Sequence, residues 1–445
     1  MPISSHEAMR YVETTSQAQI EQDLRTGQHL EELGIVFGAA MVEEMRQMAS
    51  QRQAVLGERP PVVLLPGIMG STLYDERQDQ GWIWMNPLAM VNGLLPRIAL
   101  APDASLNTHV KARDLIPVLY LPMRVHLKFW GGCTVEAFPY DWRQVPSAAA
   151  DDLRLTVRRL FEQEQHKVLL VGHSMGGLVA RDYCAKYPAE AERMVERIVM
   201  LGTPNYGSFN AVRALTIGDD GALKKIQEIN PDNDVIGVVR SLPGVYSLLP
   251  APQDAFPQGD KAYPFDTGFD WYNQQAYRVD EVLAPLLQST RAIYQKRSTA
   301  ALPVPVTVIA GIDVPTATGV ARRENQGQLS WDFGSHVSNQ GDGTVPLHSV
   351  TALPGAHCVY VRQGVHALLP WYANVRDAVK RIAHGEDAGL PTTIERGVLG
   401  EDDGQADTTA VPSVPSRAET PEVAERVRAG VATPGDLISL VGLGL

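Results

Sequence analysis

Residues 169–183, LLVGHSMGGLVARDY, constrain the fold of this chain more than any other segment. An apolar, strand-like run ends at Gly172, and a helix-like run follows Ser174. Glycines stand two positions before and after the serine, which fits the pattern G-x-S-x-G between a strand and a helix. Such a turn aims the serine hydroxyl out of a sheet and places the amide of Met175 where it can bind an oxyanion. The alternative is a glycine-rich turn without chemistry.

Strand-like and helix-like runs alternate along most of the chain. The strand-like runs are short and almost continuously apolar, and they read VVLLP, CTVEAFPYDW, KVLLVG, RIVMLG, VPVTVIAG and HCVYVRQG. Apolar strands that alternate with helices are typical of a parallel sheet covered on both faces. The sequence therefore predicts an α/β fold with a mostly parallel central sheet flanked by helices.

The spacing of these runs predicts the domain organisation. About one hundred residues separate the fourth strand from the fifth, which is too long for a simple crossover and indicates an inserted cap. Acidic residues, Thr, Ala and Pro dominate the last part of the chain, which is typical of a flexible tail. The expected units are an N-terminal helical arm at 1–58, a core at 59–204 and 301–390 with an insertion at about 72–128, a cap at 205–300, and the tail at 391–445.

Composition excludes several classes of function. The 445 residues include 39 Lys and Arg against 51 Asp and Glu, so the net charge of −12 argues against a nucleic-acid partner. The three cysteines are far apart and fit neither a disulfide framework nor a metal site. The sequence shows neither a signal peptide nor a membrane-spanning stretch. We therefore expect a cytoplasmic enzyme without a metal or organic cofactor, with export by a route that needs no signal peptide as an open alternative.

A nucleophilic serine needs a base and an acid that orients the base. His366 follows the last strand in RQGVHALLP and opens a predicted helix, which is the expected place for the base. The acid has two candidates: Asp313 directly follows the fifth strand, and Asp342 lies in the glycine-flanked turn QGDGTVPL. Topology alone slightly favours Asp313. The turn in LLPGIMGS can supply a second oxyanion donor, the amide of Ile68.

Four stretches together resemble one family. VVLLPGIMGSTL, AFPYDWR, VGHSMGGLVAR with LGTPNYGS, and GDGTVPL with a late VHALL are similar, in this order, to the lecithin:cholesterol acyltransferase family of α/β-hydrolases, in its smaller bacterial form. The resemblance covers about residues 60–385. It implies an α/β-hydrolase fold, a triad of Ser174, Asp342 and His366, and oxyanion donors at Ile68 and Met175. It thereby favours Asp342 over Asp313.

The resemblance also implies lipid-facing residues. WIWMNP and the apolar stretch after it match the region where relatives dock on lipid, and SLPGVYSLLP resembles part of a cap over an acyl site. The residues expected to face lipid or substrate are Trp82, Trp84, Leu94, Leu95, Leu248 and Leu249. For the aromatic residues, ordinary core is an equal alternative. PYDWR matches a family signature, and we interpret its Asp141 and Arg143 as a structural pair.

The sequence thus predicts a serine-dependent lipid acyl-ester hydrolase or acyltransferase of the phospholipase A or lipase type. Its partner is a lipid or ester substrate, with peripheral membrane contact as an open expectation. A protein partner could bind through the N-terminal arm or the tail. The alternatives are a soluble carboxylesterase acting on short esters, a lipase effector activated by a partner, and a binding module whose hydrolase body is vestigial.

Overall fold

The computed structural model describes residues 3–50, 59–77, 81–100, 109–218, 222–257, 259–266, 268–279, 281–299, 302–325, 328–394, 420–433 and 435–436. The strands, in chain order, are β1 Val62–Leu65, β2 Ser71–Asp75, β3 Trp82–Trp84, β4 Val110–Leu115, β5 Val135–Ala137, β6 Val168–His173, β7 Val195–Leu201, β8 Val306–Ile312, β9 Thr316–Ala317, β10 Ala321–Asn325, β11 Gln328–Asp332, β12 Val337–Ser338 and β13 His357–Arg362.

Within the described ranges, the α-helices begin with four in the N-terminal arm. In chain order they are α1 Ser5–Thr14, α2 Gln17–Thr26, α3 Leu30–Phe37, α4 Ala39–Ser50, α5 Pro87–Val91, α6 Pro117–Val125, α7 Ala150–Glu164, α8 Met175–Lys186, α9 Pro188–Met194, α10 Phe209–Ile217, α11 Ala222–Ile229, α12 Val235–Arg240, α13 Pro243–Tyr246, α14 Ala284–Thr299, α15 Leu347–Thr351, α16 Ala373–Ala383 and α17 Thr420–Ala429.

The central sheet has six parallel strands in the spatial order β5-β1-β6-β7-β8-β13. After β1 the chain moves outward to β5 and then returns to β6 on the other side of β1. The winding direction therefore reverses between β1 and β6, and open α/β sheets bind ligands outside the carboxyl ends of the strands at such a point. Leu65 pairs with Gly172 and His173 pairs with Leu201, so the loops after β1, β6 and β7 meet at this edge.

Three of the four inner strands are buried along their whole length, which explains their continuous apolar sequences; in β7, Glu196 is exposed and Arg197 is half-buried. Every residue of β1, β6 and β8 is buried. Helix α8 packs so closely behind the sheet that a Cβ on Gly177 would lie 1.9 Å from Thr203 Oγ1. Glycine is required at this position because any side chain would displace either the helix or the segment after β7.

The first insertion contains a small sheet that periodicity did not reveal. Strands β3, β2 and β4 pair antiparallel in that order and lead into α6. Arg143 fastens this insertion to the core. Its guanidinium makes a bidentate ion pair with Asp141 and donates to the carbonyls of Ile98 at 3.2 Å and Val110 at 3.1 Å. These contacts support the interpretation of the PYDWR pair as a structural one.

The C-terminal helix packs against both the N-terminal arm and the cap. Ser5 N–H donates to the carbonyl of Gly430 at 2.8 Å, and His6 Nε2 lies 2.7 Å from the carbonyl of Val427. Arg428 Nε donates to the carbonyl of Ile229 at the end of α11. The predicted flexible linker and apolar chain end fall mostly on 395–419 and 437–445, outside the described residues. Across the described ranges, every helix is too short or too polar to cross a bilayer.

Candidate active site

Ser174 occupies a strained turn between β6 and α8. Its φ of 51° and ψ of −123° are rare for a residue with a side chain, and such a conformation costs about 1–3 kcal/mol. The backbone N–H of Ser174 donates to the carbonyl of Leu201 at 2.8 Å, which holds the turn against the end of β7. A Cβ on Gly67 would lie 3.0 Å from Ser174 Cβ. The loop after β1 therefore covers the serine side chain.

His366 and Asp342 form a buried pair near this turn. His366 Nδ1 lies 2.7 Å from Asp342 Oδ2, and their side chains are 5% and 0% exposed. The other carboxylate oxygen accepts N–H groups from Thr344 at 3.0 Å and Val345 at 2.7 Å. A carboxylate accepts only, so Nδ1 is the nitrogen that donates to Asp342; in the neutral tautomer with this hydrogen bond, Nε2 carries a lone pair. His366 Nε2 is buried and has no hydrogen-bond partner among the described residues.

Backbone contacts bring Asp342 to His366 although the two come from different loops. The N–H of His366 donates to the carbonyl of Asp342 at 2.9 Å, and Val314, just after β8, forms a parallel bridge with Asp342. After β8 the polypeptide forms β9 to β12 and then returns to the end of β8, where it places the carboxylate of Asp342. Gly202, with φ of +58°, makes room for the pair, since a Cβ there would lie 2.9 Å from His366 Nδ1.

Asp313, the other candidate acid, lies apart from the histidine. Its carboxylate forms an ion pair with Arg362 Nη1 at 3.0 Å, and its side chain is 39% exposed. The backbone of Asp313 is left-handed, with φ of 66°, directly after β8. Position after the strand suggested this residue, but the turn directs its side chain to the surface ion pair.

Hydrogen bonds fix the loop after β1 and leave one amide without an acceptor at the predicted position. The N–H of Gly67 donates to the hydroxyl of Tyr120 at 2.8 Å, and the N–H of Gly70 donates to the carbonyl of Gly67 at 3.0 Å. The N–H of Ile68 has no acceptor within the described part of the chain. Met175 is the first residue of α8, so its N–H has no intrahelical acceptor either.

Two side chains near the site were missed by sequence reasoning. The ring centroid of His173 lies 5.2 Å from that of His366, and both ring nitrogens of His173 are hydrogen-bonded. Tyr120, on α6, contacts His173 Nδ1 at 2.9 Å. Burial lowers the pKa of His173 to about 3, so its ring is neutral. Sequence carries no signal for Tyr120, because only the tertiary fold brings α6 to this edge.

The tryptophans expected to face lipid are buried. Trp82 is 7% exposed and Trp84 is 1% exposed. The indole N–H of Trp82 donates to the carbonyl of Trp84, and that of Trp84 donates to the carbonyl of Met69 at 2.7 Å. Trp84 also packs edge-on against Trp142, with centroids 5.4 Å apart. The antiparallel sheet turns both indoles inward, so both tryptophans are packed in the interior, as the alternative interpretation had it.

The four leucines expected to face lipid or substrate are also largely covered. Leu95, Leu248 and Leu249 are 3%, 2% and 0% exposed, and Leu94 is half-buried. Leu248 lies near the site's edge, because its carbonyl accepts the N–H of Ser208, seven residues after β7, at 2.8 Å. These leucines therefore form packed interior between the insertion, the cap and the core.

The candidate catalytic groups are nearly closed to solvent, with Ser174 3% and His366 4% exposed. A cleft of about 910 Å³ lies elsewhere, at the amino-terminal edge of the sheet, and its lining includes Lys167 and His357. It contains none of the predicted catalytic residues. Within the described ranges, no group of three or more His, Cys, Asp or Glu side chains is placed so that it could hold a metal ion.

Comparison with known proteins relates the chain to one family. The model of the lecithin:cholesterol acyltransferase family matches residues 126–281. The lysosomal phospholipase A and acyltransferase of Canis lupus familiaris is 24% identical over 221 residues, which are 39% of this chain and 54% of that protein. The phosphatidylcholine-sterol acyltransferase of Mus musculus is 30% identical over 214 residues, 38% of this chain and 49% of that protein. The chain thus spans about half the length of these relatives.

A solved structure supports the fold. The protein in the crystal structure of the Tle4-Tli4 complex aligns with a TM-score of 0.50 at 15% identity, over 74% of this chain and 99% of that one. At this identity the likeness concerns the fold alone. Together with the parallel sheet and the strained serine turn after β6, it establishes the α/β-hydrolase fold that the sequence predicted.

Proposed function

Since this chain is related to the lecithin:cholesterol acyltransferase family, we propose that it is a serine-dependent lipid acyl-ester hydrolase or acyltransferase. The observation that carries the proposal is the buried pair of His366 and Asp342, 2.7 Å apart, at the sheet edge where Ser174 sits in its strained turn. Burying a polar pair is costly, and this pair lies next to the serine turn, with the His366 ring centroid 5.2 Å from that of His173.

The proposed reaction proceeds through an acyl-enzyme. His366 Nε2 takes the hydroxyl proton of Ser174 while Oγ forms a bond to the ester carbonyl carbon. The leaving alcohol departs with the proton from Nε2. Water or an acceptor alcohol then gives its proton to Nε2 while its oxygen forms a bond to the acyl carbon. The bond between that carbon and Ser174 Oγ breaks, and Oγ takes the proton back from Nε2, which restores the free enzyme. Asp342 holds the imidazole with Nδ1 protonated and stabilises the imidazolium that forms in each half-reaction.

The oxyanion of each tetrahedral intermediate requires donors that are already in place. In this proposal the N–H groups of Ile68 and Met175 supply them. Both amides lie in segments whose neighbouring hydrogen bonds are satisfied, which supports a fixed orientation. Removing a single donor of this kind costs about 10²–10³ in kcat in other enzymes.

The first test uses purified protein and its Ser174→Ala variant with vesicles of phospholipid and neutral lipid that contain a long-chain alcohol. Mass spectrometry identifies the products. Lysolipid and free fatty acid that are absent with the variant indicate a phospholipase, and fatty esters of the alcohol indicate an acyltransferase. If every product forms equally with Ser174→Ala, the proposed chemistry is wrong.

A second candidate function is favoured by the burial of Trp82 and Trp84. Without these indoles at the surface, the described structure offers less apolar area to a lipid interface, which suits a carboxylesterase acting on short soluble esters. The two functions differ in their response to chain length. Activity that falls steadily with longer acyl chains and does not rise above the micelle threshold supports the carboxylesterase.

A protein partner is a further part of the proposal. The structural neighbour comes from a two-component complex, Tle4-Tli4. In this chain the N-terminal arm and the C-terminal helix α17 pack together, which makes them a candidate site for a partner that alters activity. Removing residues 391–445 and finding unchanged activity and unchanged association would exclude a role for the tail.

A further inference from the structure

Three segments that are distant in sequence meet around two buried polar side chains. Tyr120, on α6, and His173, next to Ser174, are 5% and 6% exposed. The hydroxyl of Tyr120 lies 2.8 Å from the N–H of Gly67 and 2.9 Å from His173 Nδ1. His173 Nε2 lies 3.0 Å from the carbonyl of His366. A continuous chain of hydrogen bonds therefore joins the loop after β1 to the histidine after β13.

The donor and acceptor of every hydrogen bond in this series follow from the chemistry of the groups. The carbonyl of His366 only accepts, so His173 Nε2 carries a proton and donates it. In a neutral ring, Nδ1 then accepts, and the hydroxyl of Tyr120 must donate to it. The hydroxyl oxygen keeps lone pairs, one of which accepts the N–H of Gly67. Each of these buried polar groups has a partner, so replacing either side chain leaves at least one unsatisfied.

We propose that Tyr120 and His173 are positioning residues that set the loop carrying Ile68 and the backbone of His366 relative to Ser174. The inference rests on the proposed function. Neither side chain takes a proton from the substrate or gives one to it. They act through the groups on either side: Gly67 precedes the predicted oxyanion donor, and the carbonyl of His366 belongs to the predicted base.

The position of these groups matters because catalysis depends on small distances. A displacement of about 1 Å in a reacting group can cost about 10²-fold in rate. Backbone bonds hold the loop after β1 internally, but among the described contacts the chain through Tyr120 and His173 links it to the His366 segment. Its loss is therefore expected to affect the transition state more than the binding of substrate.

Three variants interrupt this series of hydrogen bonds at different points. Tyr120→Phe removes the hydroxyl and leaves the N–H of Gly67 and the Nδ1 lone pair of His173 without partners. His173→Gln keeps a donor near the carbonyl of His366 but loses the acceptor for Tyr120. His173→Asn keeps an acceptor near Tyr120 but loses the donor to His366. If one variant fails to fold, the other two still test the proposal.

The protein provides a control in Tyr277→Phe. The hydroxyl of Tyr277 is also buried and donates to the carbonyl of Trp271 at 2.9 Å, outside the segment SLPGVYSLLP. A buried tyrosine hydroxyl and its hydrogen bond are therefore lost without touching Gly67, His173 or His366. Thermal unfolding of both Tyr120→Phe and Tyr277→Phe should shift to lower temperature, whereas their kinetics should differ.

The measurements are kcat and KM for a short p-nitrophenyl ester, and the rate at which a fluorophosphonate modifies Ser174 with loss of fluoride. We expect Tyr120→Phe to lower kcat and the modification rate by about 10–100-fold while KM changes by less than about threefold. Tyr277→Phe should leave all three within about twofold. Folded Tyr120→Phe and His173 variants with kcat and modification rates near wild type would overturn the proposal.

The fluorophosphonate separates this inference from the proposed function. If the wild type reacts at Ser174 but hydrolyses no ester or lipid, the proposed function fails, and the modification rates of the variants still decide the positioning role. If the wild type does not react at Ser174 at all, both proposals fail. If it hydrolyses esters and the variants match it, only the positioning role fails.

Discussion

Replacing Asp342 with asparagine tests the assignment of the acid, because the side chain keeps its shape and changes only its hydrogen-bonding. One carboxylate oxygen accepts the N–H groups of Thr344 and Val345, and the other faces His366 Nδ1 at 2.7 Å. The backbone donors require an acceptor, so the amide carbonyl of asparagine must take their side. The amide NH₂ group is then forced to face His366.

The expected size of the effect follows from this geometry. A donor facing Nδ1 makes that nitrogen the acceptor and moves the ring proton to Nε2, where it blocks proton transfer from Ser174. The equivalent change in a serine protease lowers kcat by about 10⁴-fold, which corresponds to about 5.4 kcal/mol in the activation free energy. The folding free energy should fall by no more than about 2 kcal/mol, because each polar group keeps a partner.

The assay compares kcat on a p-nitrophenyl ester with stability from urea unfolding. Asp313→Asn is the matched control, since Asp313 is the other candidate acid and its ion pair with Arg362 is partly exposed. This control should stay within about twofold of wild type in kcat and lose less than about 1 kcal/mol of stability. Retention of more than about a tenth of kcat by folded Asp342→Asn would refute the reasoning, as would an equal loss in Asp313→Asn.

Three further predictions concern the surroundings of the site. Gly177→Ala places a methyl group 1.9 Å from a threonine oxygen, so we expect a loss of about 1–3 kcal/mol in urea unfolding. Burial lowers the pKa of His173 to about 3, so the folded state binds this proton more weakly than the unfolded chain. The contribution of His173 to stability should therefore fall by about 1.4 kcal/mol per pH unit from about pH 6.5 towards 3, and His173→Asn should remove that part of the slope in urea unfolding. Trp84→Phe removes the hydrogen bond to the carbonyl of Met69; we expect about 1 kcal/mol less stability and a lower kcat, and an unchanged kcat would argue against a link between the insertion and the oxyanion loop.

The sequence by itself determined the central architecture. Continuous apolar runs such as that of β6 can be buried only inside a sheet covered on both faces, and the six predicted strands are the six strands of the central sheet. The turn at Ser174 was equally readable, because glycines at fixed positions are a local steric requirement. The helical N-terminal arm followed from three- and four-residue spacing of its apolar side chains.

Other predictions from the local sequence needed correction. The helix expected to begin at His366 is a short 3₁₀ turn, His366–Leu368, and α16 begins only at Ala373, because Pro370 cannot continue a helix. The small sheet of the first insertion was missed, since short strands in a turn-rich segment have no clear period. That sheet turns the indoles of Trp82 and Trp84 inward, so their burial could not be predicted from the sequence either.

The family resemblance implied Asp342 as the acid, but local sequence did not show which polar groups meet, and only the tertiary structure shows it. Asp313 and Asp342 both follow β8 in sequence, and only the returning chain, bridged at Val314, brings Asp342 to His366. The contact between Tyr120 and His173 likewise joins residues 53 positions apart. Periodicity and turn residues reflect interactions between residues that are close in sequence. These contacts arise from packing between distant segments, so no local sequence pattern predicts them.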